Sequence, residues 1–232
     1  MKLIIGNKNY SSWSMRPWVL LKQFDIKFEE VKLRLDFSQN SNFYEYLKPL
    51  SPVSKVPILV DENKFAVWDS LAIIEFIADK FPSLNIWPKD SLDRARARSL
   101  CSEMHSGFQS LRGLCPMNID ADLNSIGAEL LEREPALIRD LSRFDQIASE
   151  RKHGGPFLFG DFSSVDAFYA PMVMRVTRYG LPVSDECKKY IDAIIHSKSV
   201  IQWVNDAKEE KDFLDFEEPY RKSANDFPTI QN

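Results

Sequence analysis

Several things are scarce or missing in this 232-residue chain, and each absence excludes something. There are only three cysteines, Cys101, Cys115 and Cys187, odd in number and far apart. That excludes a disulfide-stapled scaffold and fits a reduced, cytoplasmic protein. The three histidines, His105, His153 and His196, have no metal-ligand spacing, so no metal is expected. There is no excess of positive charge: 30 basic residues face 34 acidic ones, for a formal net charge of −4. Nucleic acid is therefore not an expected partner, although a local cationic pocket is compatible with that balance. Long apolar runs are missing too, as is the apolar core of a signal peptide, so no membrane is expected. No internal repeat stands out.

What is present is the composition of a folded protein, 44% hydrophobic and 28% charged, long enough for one large domain or two small ones. The first stretch alternates strand and helix signals. Lys2 to Gly6 reads as a buried strand, Trp13 to Phe24 as a helix, Phe28 to Leu33 as an alternating strand and Ser41 to Leu47 as a weak helix. Val56 to Val60 and Phe65 to Val67 read as two more strands. Ser70 to Lys80 is a helix with Leu71, Ile74, Ile77 and Ala78 on one face. Pro82 to Pro88 reads as a linker. Beyond it the spacing is helical almost throughout. One stripe runs Leu92, Ala95, Leu100, Met104, Phe108, Leu111, Cys115, and another Leu137, Leu141, Phe144, Ala148. A third carries Val165, Phe168, Met172 and Val176, with Pro171 expected to bend it. Ile191 to Ile195 and Val200 to Lys208 complete the set, and the polar run from Glu217 reads as a loose tail. The expected architecture is a small α/β module, residues 1–82, an all-helical one, residues 88–215, and a tail, residues 216–232.

Four short stretches offer chemistry. Ser11-Ser12-Trp13-Ser14 follows a strand and opens an amphipathic helix. A serine there is an N-cap, and the same helix end presents free N–H groups and partial positive charge to an anion such as a thiolate. Lowering a thiol pKa from ~8.5 to ~6.5 takes about 2.7 kcal/mol, the order that one dipole and one or two charge-assisted hydrogen bonds supply. In Ser54-Lys55-Val56-Pro57-Ile58-Leu59, Pro57 opens a strand. Edge-strand geometry accounts for it; a cis Val56-Pro57 bond would instead turn the Val56 backbone toward an extended peptide. In Trp68-Asp69-Ser70, both polar residues are ideal caps. They also suit a ligand whose carboxylate meets Ser70 and whose ammonium meets Asp69. Ser163-Ser164-Val165-Asp166 reads as a structural capping box in which each of Ser163 and Asp166 is worth about 1 kcal/mol.

Together, in this order and spacing, these motifs resemble the cytosolic glutathione transferase superfamily, over nearly the whole chain to about residue 210. The resemblance implies a thioredoxin-like first domain and an all-helical second, with a cis Pro57. The serine pair is similar to the zeta-class motif Ser-Ser-Cys-x-x-Arg, with Trp13 where that class has cysteine and Arg16 at its arginine. Ser106-Gly107-Phe108-Gln109-Ser110-Leu111 is similar to the zeta Ser-Gly-Ile-Gln-Pro-Leu segment, with Gly113 where that class has asparagine.

The resemblance further implies glutathione as co-substrate, no metal, and a homodimer. Ser11 or Ser12 would hydrogen-bond the thiolate, with Ser11 favoured by alignment of the pair. Val56 and Pro57 would pair with the cysteinyl backbone, Asp69 and Ser70 would hold the γ-glutamyl end, and Lys55 would reach the glycyl carboxylate or simply be solvated. Arg16 would serve the thiolate or an acidic substrate, or be a surface residue of the first turn. The electrophile would lie against Trp13 and a face of the next helix, Met104, His105, Phe108 and Arg112; the same stripe also reads as plain helix core, which has little use for His105 and Arg112. The expected activity is a glutathione transferase of the detoxification type, activating the glutathione thiol for attack on a small electrophile by conjugation or zeta-like isomerisation. The competing reading is a non-catalytic interaction or regulatory protein of the same fold. A thiol reductase is disfavoured, because no cysteine lies at the end of the first helix where that chemistry needs one.

Overall fold

The computed structural model describes residues 1–151 and 154–230, so His153 lies outside the described residues. Its sheet has four strands, β1 (Lys2–Ile5), β2 (Glu29–Lys32), β3 (Ile58–Val60) and β4 (Ala66–Trp68), in the order β2-β1-β3-β4. β2 runs parallel to β1, and β3 and β4 are antiparallel to their neighbours. Leu3, Ile4 and Ile5 are all fully buried, which requires both faces of the central strand to be covered and accounts for its unbroken apolar sequence. Successive residues feed opposite faces. Leu3, Ile5 and Leu59 join α1 (Ser12–Gln23) and α3 (Ser70–Lys80), while Ile4 and Ile58 join Phe43 and Leu47 of α2 (Asn42–Leu47). β2 leaves Glu29, Glu30 and Lys32 outside, as an edge strand does.

From Ser91 onward the regular structure is helical: α4 (Ser91–Ser106), α5 (Gln109–Leu114), α6 (Asn124–Arg133), α7 (Pro135–Ser149), α8 (Ser164–Arg178), α9 (Asp185–Ile195) and α10 (Lys198–Glu209). The central element is α8, buried at every position from Ser164 to Val176 and continuous through Pro171. It packs against α4, α9 and, across the domain boundary, α1. Burial of Phe168, Met172 or Val176 contributes roughly 1.5–3 kcal/mol each.

Three expectations are corrected. The stripe from Leu92 to Cys115 is not one helix. α4 ends at Gly107, whose N–H bonds the Glu103 carbonyl at 2.7 Å, and Phe108 takes a left-handed conformation, φ 55°, before α5 begins. A Cβ at Gly107 would stand 2.7 Å from the Glu103 carbonyl oxygen, so no larger residue fits this turn. Leu92, read as the head of the stripe, is 79% exposed, and the first buried residue of α4 is Ala97, more than a turn further on. The polar run from Glu217 does not hang free. Glu218 is buried and accepts from Tyr10 Oη at 2.8 Å, Asn118 Nδ2 at 2.8 Å and Arg221 Nη2 at 2.6 Å, and Tyr220 Oη donates to the Leu114 carbonyl at 2.6 Å.

Candidate functional site

The loop between β1 and α1, Asn7 to Tyr10, is held from two sides before it delivers the serines. Asn9 Oδ1 accepts the Ile119 N–H at 2.8 Å and the Asp120 N–H at 2.9 Å. The Glu210 carboxylate accepts the Lys8 N–H at 2.9 Å, and Trp203 Nε1 donates to the Lys8 carbonyl at 3.0 Å. Both helical-domain segments therefore fix the first domain's loop. With its backbone spoken for, the helix that follows starts at a defined place.

The two serines at that start are not equivalent. Ser11 is the N-cap: its Oγ accepts the Ser14 N–H at 3.4 Å and donates to Ser14 Oγ at 2.7 Å. Its proton is already committed. Ser12 Oγ accepts from Arg175 Nη2 at 3.2 Å, which leaves its own proton to donate. Both face a cleft of about 650 Å³ between the domains. Its lining includes Tyr10, Trp13, Phe37, Lys55, Val56, Arg112, Met117, Arg175 and Glu217.

Of the residues singled out in the sequence, Ser11, Ser12, Trp13, Lys55, Val56 and Arg112 line this cleft. The Val56-Pro57 bond is cis, and Val56 lies ahead of the β3 ladder, whose first pairs are Ile58 with Ile4 and with Trp68. Met104, His105, Phe108, Arg16, Asp69 and Ser70 are not in the lining. Met104 and Phe108 are core residues, 0% and 5% exposed, with Phe108 edge-on to Tyr169. Arg112 does not share a helix with them, because the chain breaks at Phe108; its Nη1 donates to the His105 and Gly107 carbonyls and so caps α4. Arg16 is no surface residue either. It is 1% exposed, its guanidinium lies 4.1 Å from the Trp13 ring and 4.7 Å from Phe168, and Nη1 donates to Ser70 Oγ at 3.3 Å.

Asp69 and Ser70 sit one step behind the cleft wall. Asp69 caps α3, accepting the Leu71 N–H at 2.8 Å, and holds a positive φ of 73°. Such a backbone persists in a non-glycine residue only where its surroundings over-determine it, as at ligand-binding turns. The Asp69 carboxylate is 3.4 Å from His105 Nε2, and His105 is edge-on to Trp13 at 5.0 Å.

Electrostatically the region is cationic. Burial holds the Arg16 guanidinium down to about 9, with Arg112 and Arg175 adding like-charge repulsion. Burial, then Arg112, brings Arg175 down to about 10, and burial lowers Arg112 as well. Glu217 is the one carboxylate in the lining; burial raises its pKa against the pull of Arg175. The cysteines take no part: Cys101, Cys115 and Cys187 are buried, and burial pushes Cys115 and Cys187 up to about 12. Among the described residues no group of three or more His, Cys, Asp or Glu is placed to hold a metal ion.

Arg175 is the main residue that sequence reasoning did not pick. The signal was there: it lies three and seven residues after Met172 and Phe168, on the buried face of the stripe, where a charge is out of place.

Comparison with known proteins fits this geometry. Residues 10–80 match the family described as glutathione S-transferase, N-terminal domain. A probable maleylacetoacetate isomerase from Caenorhabditis elegans is 26% identical over 175 residues, 75% of this chain and 77% of the relative. A glutathione transferase homologue from Burkholderia, solved with bound glutathione, superposes with a TM-score of 0.64 at 24% identity, covering 90% of this chain and 98% of that one. A bacterial zeta-class maleyl pyruvate isomerase superposes with a TM-score of 0.64 at 19% identity, covering 90% and 99%. At these identities the solved structures speak to the fold.

Proposed function

We propose that this chain, a member of the glutathione transferase superfamily close to the zeta class, is an enzyme that ionises the thiol of glutathione and directs it at a small electrophile bearing a carboxylate. The observation that carries the reading is the Ser12 hydroxyl: at the first turn of α1, facing the cleft, with its proton unspent and a buried arginine on its oxygen. A thiolate placed there receives a hydrogen bond from Ser12, the partial charge of the helix end and the field of Arg175. Ser12 thus replaces Ser11 as the favoured thiolate donor, because Ser11 has given its proton to Ser14.

In this reading the cysteinyl backbone of glutathione pairs with Val56, Lys55 meets the glycyl carboxylate, and the γ-glutamyl group reaches Asp69 and the N–H groups at the start of α3. Arg112 and Arg175, with Trp13 as a wall, take the electrophile. Two cleft-lining guanidiniums set against one carboxylate favour an anionic electrophile over a neutral one. Conjugation and cis–trans isomerisation both begin with this thiolate attack, and the isomerase relative favours the second. The reading also takes the protein as a cytoplasmic homodimer. Phe65, Trp68 and Leu92 are large apolar residues left exposed, at or beside the edge strand β4 and on α4.

The test is a pair of assays with glutathione, one using carboxylate-bearing electrophiles and one neutral aryl halides, on the native protein and on Arg175→Met. Turnover of the acidic set that falls about 10²-fold in the variant is expected. Absence of glutathione binding would refute the enzyme assignment, and equal turnover of both sets would refute the anionic-substrate part.

A further inference from the structure

Three guanidiniums lie near one another behind Ser12, but two of them reach the cleft. Arg112 and Arg175 line it; Arg16 does not. The Trp13 indole lines the cleft and lies 4.1 Å from the Arg16 guanidinium. Arg112 lies 4.9 Å from the same ring, so one indole is in contact with two cations. Arg16 also meets the Phe168 ring and donates to Ser70 Oγ, and its Nε is buried with no acceptor among the described residues. The nearby carboxylate, Asp69, is engaged with His105.

A buried guanidinium normally has a carboxylate partner, because an unused charged donor away from water is costly. The indole offsets part of that cost through its π face. It does not supply the acceptor that Nε lacks.

We propose that Trp13 is a specificity-determining residue: it covers a carboxylate subsite at Arg16, so that the cleft offers only the Arg112 and Arg175 clamp and does not favour a dicarboxylate over a monocarboxylate. This rests on the reading of the cleft as the place of a carboxylate-bearing electrophile. The sequence carries the same message in another form, since a bulky aromatic stands at the third position of the Ser11-Ser12-Trp13 motif, where a small residue would leave Arg16 open.

Butyrate and succinate have the same four-carbon chain and differ by one carboxylate, which makes them suitable probes. NMR titration of each into the glutathione-saturated protein gives the ratio of their affinities. In the native protein the two are expected to bind comparably, and Arg16→Gln to leave both affinities as they were, because Trp13 already hides that residue. Trp13→Ala should then favour succinate over butyrate by about tenfold or more, the factor one new charge-assisted hydrogen bond supplies. Trp13→Phe, which keeps an aromatic lid, should retain the native ratio. Adding Arg16→Gln to Trp13→Ala should abolish the gain. An unchanged ratio in Trp13→Ala, or a gain that survives loss of Arg16, overturns the proposal. So does a loss of succinate binding in Arg16→Gln alone, a readout that needs no truncation at Trp13. If neither probe binds any variant and Arg175→Met changes nothing, the carboxylate reading of the cleft falls, and this inference with it.

Discussion

Two helices of this chain begin with a pair of serines, and the pairs stand in different surroundings. At the start of α8, Ser163 and Ser164 are buried, and the Asp166 carboxylate accepts the Ser163 N–H at 2.9 Å, the Ser163 hydroxyl at 3.2 Å and the Leu158 N–H at 3.1 Å. At the start of α1, Ser11 closes the helix in the same local manner, but Ser12 keeps its proton and faces a cleft. The Ser164 hydroxyl finds no hydrogen-bond partner among the described residues, yet Ser164 lines none of the described cavities. Residue type at a helix start does not separate a hydroxyl closed into a cap from one open to a ligand. An unspent donor with space in front of it does.

The largest effect that would sharpen this contrast is on catalysis. Ser12→Ala should lower kcat with an acidic electrophile by about 10²-fold or more, the cost of losing one preorganised donor. Equal losses from Ser11→Ala and Ser12→Ala in the same steady-state assay would erase the distinction drawn between them. Next comes stability at the other pair. Asp166→Ala strands three donors in a fully buried place, so urea denaturation should report a loss of roughly 3 kcal/mol, well above the ~1 kcal/mol of an exposed cap. If the same variant also shifted the pKa of bound glutathione, the α8 start would not be purely structural.

A pH dependence follows from the same residue. Burial pushes the Asp166 carboxyl up to about 6, above the ~3.9 of an unfolded chain. Between those values the folded state binds more protons than the unfolded one. This group's contribution is therefore most favourable below about pH 4 and declines as the pH rises to about 6, by up to roughly 3 kcal/mol in all. Urea midpoints collected from pH 4 to 7 should show Asp166→Asn flattening that part of the native slope; parallel slopes would contradict it. The smallest expected effect is Ser11→Ala, about 1 kcal/mol of lost capping by thermal melt, with little change in kcat.

Much of this was legible in the residues. The alternation of strands and helices, the caps and the Lys-Val-Pro-Ile-Leu strand gave the plan of an α/β module followed by a helical one, because each element's period and punctuation are local properties. Trp13, Lys55 and Val56 could be placed beside the cleft from their motifs, and Arg112 as a charge on an otherwise apolar helical stripe. Met104 and Phe108 could not be separated from the core, since helical spacing is the same for a residue facing a cleft and one facing another helix. Nor could spacing foresee the left-handed Phe108 that ends the first stripe. The tail reads as loose because its composition is polar; two of the three partners of Glu218, Tyr10 and Asn118, lie 208 and 100 residues away, which no local pattern encodes. The preference for Ser12 in the proposed function rests on the hydrogen bonds of Ser14 and Arg175, which no local spacing encodes.

The central claim is that Ser12, and not Ser11, activates a thiol. The most direct measurement is the thiolate absorbance of bound glutathione across pH in the native protein, Ser11→Ala and Ser12→Ala. The account predicts a bound thiol pKa about two units below the ~8.5 of a free cysteine thiol in the native protein and in Ser11→Ala, returning most of the way in Ser12→Ala. A bound pKa that stays low in Ser12→Ala, or is never lowered at all, would contradict it.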